Sequence, residues 1–362
     1  MSAPAGRLAA LDIFRGATIA SMVLVNNASD WEPAYAPLRH AEWHGWTFTD
    51  TVFPFFLWIA GVSVTLSTAK RLARGESRLD LLRHAVRRAA IIFALGLLLN
   101  AVPSFRWETL RIPGVLQRIA VCYLLAFVIF LWTNWRGQAV AIAALIGIYW
   151  GLMSYYPVPG CGAGSYEMGC NFARYLDGRF LAGHMYAATR DYDPEGIVST
   201  LPAIATVLAG ILAGRLLMEV REPRAVLVRF AAWGVLLFCL GSILDLWQPI
   251  NKQLWTTSYA ALMAGLAMIW FAIWYALADL RGWRRWLKPL EIFGSNAIAM
   301  FLIAGLIARL MDVSGWGARV YQGLLWLGLA AVNASLAYAL LNVAVCYLAA
   351  WALWRRGWFL KF

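Results

Sequence analysis

The chain has 362 residues, of which 62% are hydrophobic and only 14% are charged, and its mean hydropathy is +0.63. Since a soluble domain has about 45–50% apolar and about 25% charged residues, this composition excludes an ordinary soluble protein and indicates an integral membrane protein. The 20 Trp and 14 Tyr residues fit aromatic belts at the two membrane interfaces. The net charge of +12 would suggest nucleic acid in a soluble chain, so its distribution matters.

Apolar runs predict about ten membrane spans, because each span needs roughly 20 apolar residues. The spans are placed at 10–28, 49–69, 89–104, 115–133, 139–156, 197–216, 229–246, 256–278, 290–311 and 323–353. The prediction is an all-α polytopic membrane protein, with residues 1–362 forming one transmembrane domain and a long outward connector at about 157–196. Most Lys and Arg residues fall in alternate connectors, which places both termini in the cytoplasm. Contact with anionic lipid then explains the basic surplus without nucleic acid.

The connector between the first two spans concentrates an unusual share of the histidine. Only four His residues exist, and His40 and His44 both lie in this connector. A neutral imidazole at a membrane interface can act as a general base near neutral pH. His40 is the stronger candidate, His44 is its local rival, and Glu42 is a weaker orienting partner. The alternative is an interfacial histidine that bonds a backbone carbonyl.

Several polar residues stand inside or at the ends of apolar spans. Asn26 closes the first span, where an amide can hold an oxyanion or cap the helix. Asp12 and Arg15 share a helix face, so that Arg15 either meets a phosphate or pairs with Asp12. Gln117 and Arg118 interrupt an apolar helix and are predicted to face a protein or water-lined cavity, because ionisable groups in spans are costly.

The predicted outward connectors carry a second group of candidates. Asp193 and Glu195 can bind an amine or sugar hydroxyls, or they can be the acids that favour a helix N-terminus. Lys252 and Trp255 form a compact polar cluster, in which the indole either stacks on a sugar or belongs to an aromatic belt. Asn296 is also expected to face a protein or water-lined cavity, but the argument is weaker because it lies near a span end.

The cysteines and the motifs that are missing narrow the chemistry. Cys161 and Cys170 both lie in the 157–196 connector, where a disulfide is permissible and free thiols are equally consistent. No CxxC pair or His/Cys cluster supports a metal. The sequence has no GxSxG, P-loop, HExxH or Rossmann glycine pattern. Their absence disfavours a hydrolase, an NTPase or a zinc protease.

Seven short motifs, each weak alone, occur in an order that resembles the heparan-α-glucosaminide N-acetyltransferase family of transmembrane acetyltransferases. They are Leu11–Gly16, His40–Gly45 followed by Thr47, Asp50 and Phe53-Pro54, Arg111–Ile119, Gly183–Tyr186, Tyr192–Gly196, Asn251–Trp255 and Gly294–Asn296. The resemblance covers most of the chain.

This resemblance implies transfer of an acetyl group from cytoplasmic acetyl-CoA to the amine of glucosamine, or of a sugar that contains it, outside the membrane. His40 matches the family's active histidine, and Asn26 matches its nearby asparagine. His44 stands where animal relatives have Asn, so either His40 or His44 can be the catalytic base. The bacterial members imply a multi-pass protein of the bacterial inner membrane, and relatives suggest a homodimer.

The implied mechanism assigns the remaining candidates to donor and acceptor. Acetyl-CoA is the co-substrate, no metal is needed, and membrane lipid is the surrounding partner. The residues expected to bind the donor are Arg15 at the phosphates and Gln117, Arg118 and Asn296 along the pantetheine arm; those expected at the acceptor are His44, Asp193, Glu195, Lys252 and Trp255.

Three alternatives compete with this interpretation. One is an acyltransferase for another cell-envelope saccharide, and another is an amino-sugar transporter without catalysis, although no clear internal repeat is visible. The third is a passive membrane scaffold, which the intramembrane Arg118 disfavours.

Overall fold

A computed structural model describes residues 8–28, 31–220 and 222–359, and most of this part of the chain is helical. The helices are α1 (Ala9–Ala28), α2 (Phe48–Leu72), α3 (Arg78–Ala101), α4 (Val115–Trp132), α5 (Trp135–Tyr155), α6 (Phe172–Phe180), α7 (Thr200–Glu219), α8 (Pro223–Leu244), α9 (Thr257–Tyr275), α10 (Lys288–Ser295), α11 (Ala297–Val313), α12 (Trp316–Trp326) and α13 (Ala331–Arg355). Two short strands, β1 (Tyr166–Glu167) and β2 (Cys170–Asn171), form an antiparallel hairpin. The all-α polytopic class is confirmed.

Within the described residues, eight helices are long and apolar enough to cross a membrane: α1, α2, α4, α5, α7, α8, α13 and the helix that starts at Thr257. The ninth predicted span is a bent pair, since α10 and α11 meet at 84° around Asn296. The tenth predicted span, 323–353, begins inside the short helix α12 and continues as α13 after a break at 327–330.

The third predicted span, 89–104, falls on α3, which is not among the eight. Helix α3 begins earlier than predicted, at Arg78, and its first half carries Arg83, Arg87 and Arg88. Ser77 caps it by accepting a hydrogen bond from the N–H of Asp80. Most of the basic stretch 70–88 therefore belongs to the end of α2 and the start of α3.

Several connectors of the first unit contact one another. The indole of Trp43, before α2, donates to the carbonyl of Tyr166, and the amide of Asn251 donates to the carbonyl of Trp43. Arg111, before α4, pairs with Asp193, and Tyr192 beside Asp193 packs edge-on against Trp43. These contacts bring the connectors of the first unit that contain Trp43, Arg111, Tyr166, Tyr192 and Asn251 together.

The chain divides into two compact units. Among the described residues, the first unit contains 43–45, 54–220 and 222–269, and the second unit contains 8–28, 31–42, 46–53 and 270–359. Both α2 and α9 pass from one unit to the other, and the prediction of a single transmembrane domain stays a prediction.

Backbone contact between helices holds each unit together. In the first unit, a Cβ at Gly61 of α2 would lie 2.1 Å from the carbonyl of Val207, and one at Gly210 of α7 would lie 2.1 Å from the carbonyl of Trp58. Because only glycine fits such distances, the backbones of α2 and α7 pack directly against each other. Helices α1 and α10 meet in the same manner in the second unit, where a Cβ at Gly294 would lie 2.0 Å from the carbonyl of Asp12.

Candidate active site

His40 lies in the second unit and pairs with a buried carboxylate. Its Nδ1 is 2.6 Å from Oδ1 of Asp50, and the side chains are 42% and 1% exposed respectively. A carboxylate accepts hydrogen bonds but donates none, so it selects the tautomer with the proton on Nδ1. The second ring nitrogen, Nε2, is then the basic one. An exposed imidazole oriented by a buried carboxylate is the arrangement that general bases use.

The local sequence explains why Asp50 is positioned so firmly. It lies in the first turn of α2, where the helix dipole favours a negative charge. Its Oδ2 accepts the N–H of Ala41 at 3.1 Å and the N–H of Thr47 at 3.0 Å. The Thr47 hydroxyl in turn donates to the carbonyl of Arg39. One carboxylate therefore ties both ends of the connector 39–47 together and holds the imidazole between them.

His44 has a different environment. It belongs to the first unit and is exposed, with Nδ1 lying 3.4 Å from the amide nitrogen of Asn251. An amide cannot compensate a positive imidazolium as a carboxylate does. The geometry therefore favours His40 over His44 as the base. Glu42, which was weighed as an orienting partner, is exposed, and Asp50 occupies that position instead.

The other candidates of the second unit lie on α1 and at the α10–α11 break. Asn26 is exposed near the end of α1, whereas its neighbour Asn27 is buried and donates to the carbonyl of Val23. Arg15 pairs with Asp12 at 3.0 Å. Asn296 is buried and donates to the carbonyl of Trp358.

The α1–α10 contact brings two of these candidates onto neighbouring helices. A Cβ at Gly16, next to Arg15, would lie 1.7 Å from the carbonyl of Leu290, two turns before Asn296. Arg15 and the break at Asn296 thus belong to the same pair of closely packed helices.

In the first unit, Gln117 and Arg118 are buried in α4, as predicted for polar residues that avoid lipid. The Arg118 Nη2 donates to the carbonyl of Gly196 at 3.0 Å and to the hydroxyl of Ser199. Its Nε and Nη1, and the Nε2 of Gln117, have no hydrogen-bond partner within the described part of the chain. Buried donors without acceptors are costly, so these atoms are candidates to bind a group that carries acceptor oxygens.

Asp193 and Glu195 are engaged by an arginine that the sequence analysis did not single out. Arg111 Nε and Nη2 bind the two oxygens of Asp193 at 2.9 and 2.6 Å, and Nη2 also lies 2.5 Å from Glu195. Burial opposes the charge on Arg111, but its hydrogen bonds and attraction to the two carboxylates outweigh this and raise the pKa of the guanidinium. Asp193 is 0% and Glu195 9% exposed. Of the pair, only Glu195 retains an accessible edge.

His184 positions the segment that carries Arg111. Its Nδ1 is 2.8 Å from the carbonyl of Leu110, and its own carbonyl accepts the N–H of Ile112 at 3.0 Å. Tyr186 contributes a ring beneath the Arg111 guanidinium, with 4.5 Å to the ring centroid, and an N–H to Asp193 at 2.8 Å. The motif Gly183–Tyr186 is thus a support for the ion-paired cluster.

The expectation of an exposed sugar-stacking surface at Trp255 is wrong. The indole is 1% exposed, its Nε1 donates to the hydroxyl of Thr206, and the Arg118 guanidinium lies 5.3 Å from the ring centroid. Trp255 thus packs in the interior of the first unit, beside the Arg118 guanidinium. Lys252 is half-buried in the same connector.

The open question of the two connector cysteines resolves to a bridge, since Cys161 and Cys170 form a disulfide. It joins the segment before β1 to the first residue of β2, directly before α6, whose first turn is capped by the Asn171 side chain.

Sequence reasoning missed Asp50, Arg111 and His184 as site residues. Each was visible as a charged or titratable residue, and Asp50 follows His40 by only ten positions. An acid at a helix start is common for the sake of the helix alone, so its position does not mark it as a partner of His40. The partners lie up to 84 residues apart, and spacing alone does not pair residues across such distances.

The fold and these clusters define a polytopic helical membrane protein whose paired histidine and ion-paired carboxylates lie in the connectors. Comparison with known proteins is consistent with this class. The family model described as heparan-alpha-glucosaminide N-acetyltransferase, catalytic, matches residues 7–243. The protein of Mus musculus named heparan-alpha-glucosaminide N-acetyltransferase is 31% identical over 355 residues, which cover 82% of this chain and 53% of the relative.

The Homo sapiens protein of the same name is 30% identical over 362 residues, which cover 83% of this chain and 53% of the relative. The chain belongs to the heparan-alpha-glucosaminide N-acetyltransferase family. It spans about half the length of the curated relatives it matches.

Proposed function

We propose that this protein is a membrane acetyltransferase that moves an acetyl group from acetyl-CoA to the amine of glucosamine or of a sugar that contains glucosamine. Membership in the family supports the reaction class. The observation that carries the proposal is the 2.6 Å contact between His40 and the buried Asp50. It supplies an oriented base on the residue that the family motif marks as active.

In the proposed reaction, Nε2 of His40 takes a proton from the acceptor amine. The nitrogen of this amine attacks the thioester carbonyl at the same time. The new C–N bond forms, the C–S bond breaks, and CoA leaves as a thiol once the sulfur is protonated. Asp50 holds the Nδ1 proton throughout, which keeps Nε2 basic. Asn26 donates its amide to the oxyanion that develops on the carbonyl. An acetyl-imidazole on His40 is the covalent variant of this route.

The donor is proposed to come from the cytoplasm. Arg15 would meet the CoA phosphates in exchange for its present partner Asp12, and Asn296 would lie beside the arm in the second unit. In the first unit, Gln117 and Arg118 offer three buried donor atoms to carbonyl oxygens of the arm. Two guanidinium nitrogens of Arg118 are buried without an acceptor among the described residues, which is costly and supports a bound partner for them.

The acceptor residues proposed for the first unit are Glu195, His44 and Lys252. Glu195 is preferred to Asp193, because the Asp193 side chain is 0% exposed and both its oxygens already bind Arg111. A carboxylate suits the ammonium or hydroxyl groups of an amino sugar.

Substitution of the two histidines tests the assignment. Purified protein is incubated with labelled acetyl-CoA and glucosamine, and N-acetylglucosamine is measured. His40→Ala should lose transfer by about 10²–10⁴-fold while still binding acetyl-CoA, since general-base catalysis contributes that much. His44→Ala is the matched control and should lose far less. Wild-type transfer by His40→Ala refutes the assignment, and uptake of glucosamine without acetylation identifies a transporter.

We further propose a multi-pass protein of the bacterial inner membrane with cytoplasmic termini, so that the His40 connector faces outward. Glu42 is exposed in that connector and accepts a cysteine without packing cost. In a Cys239→Ser background, which removes the exposed free thiol, Glu42→Cys should react with a membrane-impermeant maleimide in intact cells. Reaction only after the membrane is opened contradicts this sidedness.

A further inference from the structure

Asp177 of α6 is a buried carboxylate that neither the motifs nor the proposed reaction uses. Asp177 is only 1% exposed to solvent. Its Oδ2 accepts the N–H of Asp193 at 3.2 Å, and its Oδ1 accepts the N–H of Ile197 at 3.0 Å. Burial raises the pKa of this carboxyl to about 6, against the backbone N–H groups that lower it. Asp177 thus closes both ends of one turn, residues 193–197.

The turn is shaped around this carboxylate. A Cβ at Gly196 would lie 2.0 Å from Oδ2 of Asp177 and 2.6 Å from its Cγ. Any side chain at position 196 would therefore displace Asp177. The glycine of the Asp193-Pro194-Glu195-Gly196 motif is explained by this contact, because the turn can approach Asp177 only with a hydrogen at that position.

The same turn carries the groups that contact Arg111 and Arg118. Asp193 and Glu195 bind Arg111 through their side chains. The carbonyl of Gly196 accepts a hydrogen bond from Arg118 at 3.0 Å. A change in the turn therefore moves both the accessible edge of the Glu195 carboxylate and the Gly196 carbonyl that binds Arg118.

We propose that Asp177 is a positioning residue that fixes the turn 193–197 and thereby sets the direction of the Glu195 carboxylate toward the acceptor sugar. This inference rests on the acceptor role proposed above for Glu195. Asp177 itself touches no substrate: it acts through two backbone N–H groups. An amide cannot replace it, because Asn offers one acceptor oxygen where two N–H groups need one each.

The first test measures the turn directly. In the wild-type protein, the amides of Asp193 and Ile197 should be protected from hydrogen–deuterium exchange, and Asp177→Asn should expose at least one of them. Asp191→Asn is the matched control, because Asp191 is an exposed carboxylate of the same connector that pairs with Arg174 and has 62% side-chain exposure. Rapid exchange of both amides in the wild-type protein overturns the proposal without any variant.

The second test is kinetic. Asp177→Asn should raise the KM for glucosamine by about 10-fold or more, since a lost hydrogen bond to a charged group corresponds to that range. The KM for acetyl-CoA should change by less than about 2-fold, and Asp191→Asn should change neither. Equal losses in both KM values, or an unchanged KM for glucosamine in a variant whose turn is exposed, overturn the positioning role.

A double-mutant cycle separates steric fit from general damage. Gly196→Ala alone should reduce thermal stability and raise the KM for glucosamine, because its Cβ overlaps Asp177. In an Asp177→Ala background the same substitution should cost much less, since the overlapping carboxylate is gone. Strictly additive effects contradict the contact. If wild-type protein transfers no acetyl group at all, the proposed function fails, while amide exchange still decides whether Asp177 holds the turn.

Discussion

The substitution Asp50→Asn probes the catalytic proposal with little change in shape. In the structure, Oδ1 of Asp50 contacts Nδ1 of His40 at 2.6 Å, and Oδ2 accepts the N–H groups of Ala41 and Thr47. An amide replaces one of these acceptor oxygens with an NH₂ group. If the remaining oxygen keeps the two backbone N–H groups, the NH₂ faces the imidazole. His40 must then present a lone pair at Nδ1 and carry its proton on Nε2.

The expected effect on rate follows from this inverted tautomer. A protonated Nε2 cannot take a proton from the acceptor amine, and the equivalent Asp→Asn change in a histidine–aspartate pair lowers kcat by about 10⁴-fold. The effect on stability should be smaller, about 1.5–3 kcal/mol for the loss of a hydrogen bond to a charged group. Activity and stability therefore separate: the protein should fold and bind acetyl-CoA but transfer poorly.

The assay follows transfer of labelled acetyl from acetyl-CoA to glucosamine, with the folded fraction determined on the same preparation by thermal unfolding in detergent. Glu42→Gln is the matched control, since it makes the same chemical change at an exposed carboxylate of the same connector. It should retain wild-type activity within about 2-fold, as exposed charges contribute little. A kcat for Asp50→Asn within about 10-fold of wild type, in a folded sample, would falsify the tautomer argument.

Three further predictions concern stability. Arg111→Gln should cost about 3–5 kcal/mol, because it leaves the buried Asp193 without its cation; a fall in the unfolding temperature no larger than that of an exposed Arg→Gln change argues against the cluster. Asp177 has a pKa of about 6 in the folded protein against 3.8 for the ordinary group, so the folded state binds the proton more tightly, and stability should fall by about 2 kcal/mol as pH rises from 4 to 6; Asp177→Asn should flatten this part of the profile, and an unchanged profile excludes Asp177 as its source. Replacing both Cys161 and Cys170 with Ser opens a bridge between positions nine apart and should lower stability by about 2–3 kcal/mol on the chain-entropy account, which reduction of the wild-type protein should reproduce.

Much of the fold was predictable because a membrane demands it. Apolar runs of about 20 residues have few alternatives to a helix in a bilayer, since every backbone group must bond within its own segment. The broken span around Asn296 was not anticipated, because the apolar residues on both sides of Gly294-Ser295-Asn296 were taken together as one span. Helix α3 was placed too late, since its arginines resembled a connector.

The site was predictable only in part. His40 could be chosen from its scarcity and its motif, and buried Gln117 and Arg118 from the rule that polar residues avoid lipid. Trp255 was misjudged, because an indole at a predicted interface reads the same in sequence whether it faces water or packs under an arginine.

By itself, the sequence determined that this chain is a helical membrane protein and which short motifs carry its chemistry, because hydropathy and motif order are properties of neighbouring residues. Only the tertiary structure decided which residues are partners. Asp50 rather than Glu42 orients His40. Arg111 forms an ion pair with Asp193, and Asp177 accepts backbone hydrogen bonds from the turn 193–197. The physical reason is that a hydrogen bond depends on where two chain segments meet in space. That meeting is set by helix packing over the whole chain.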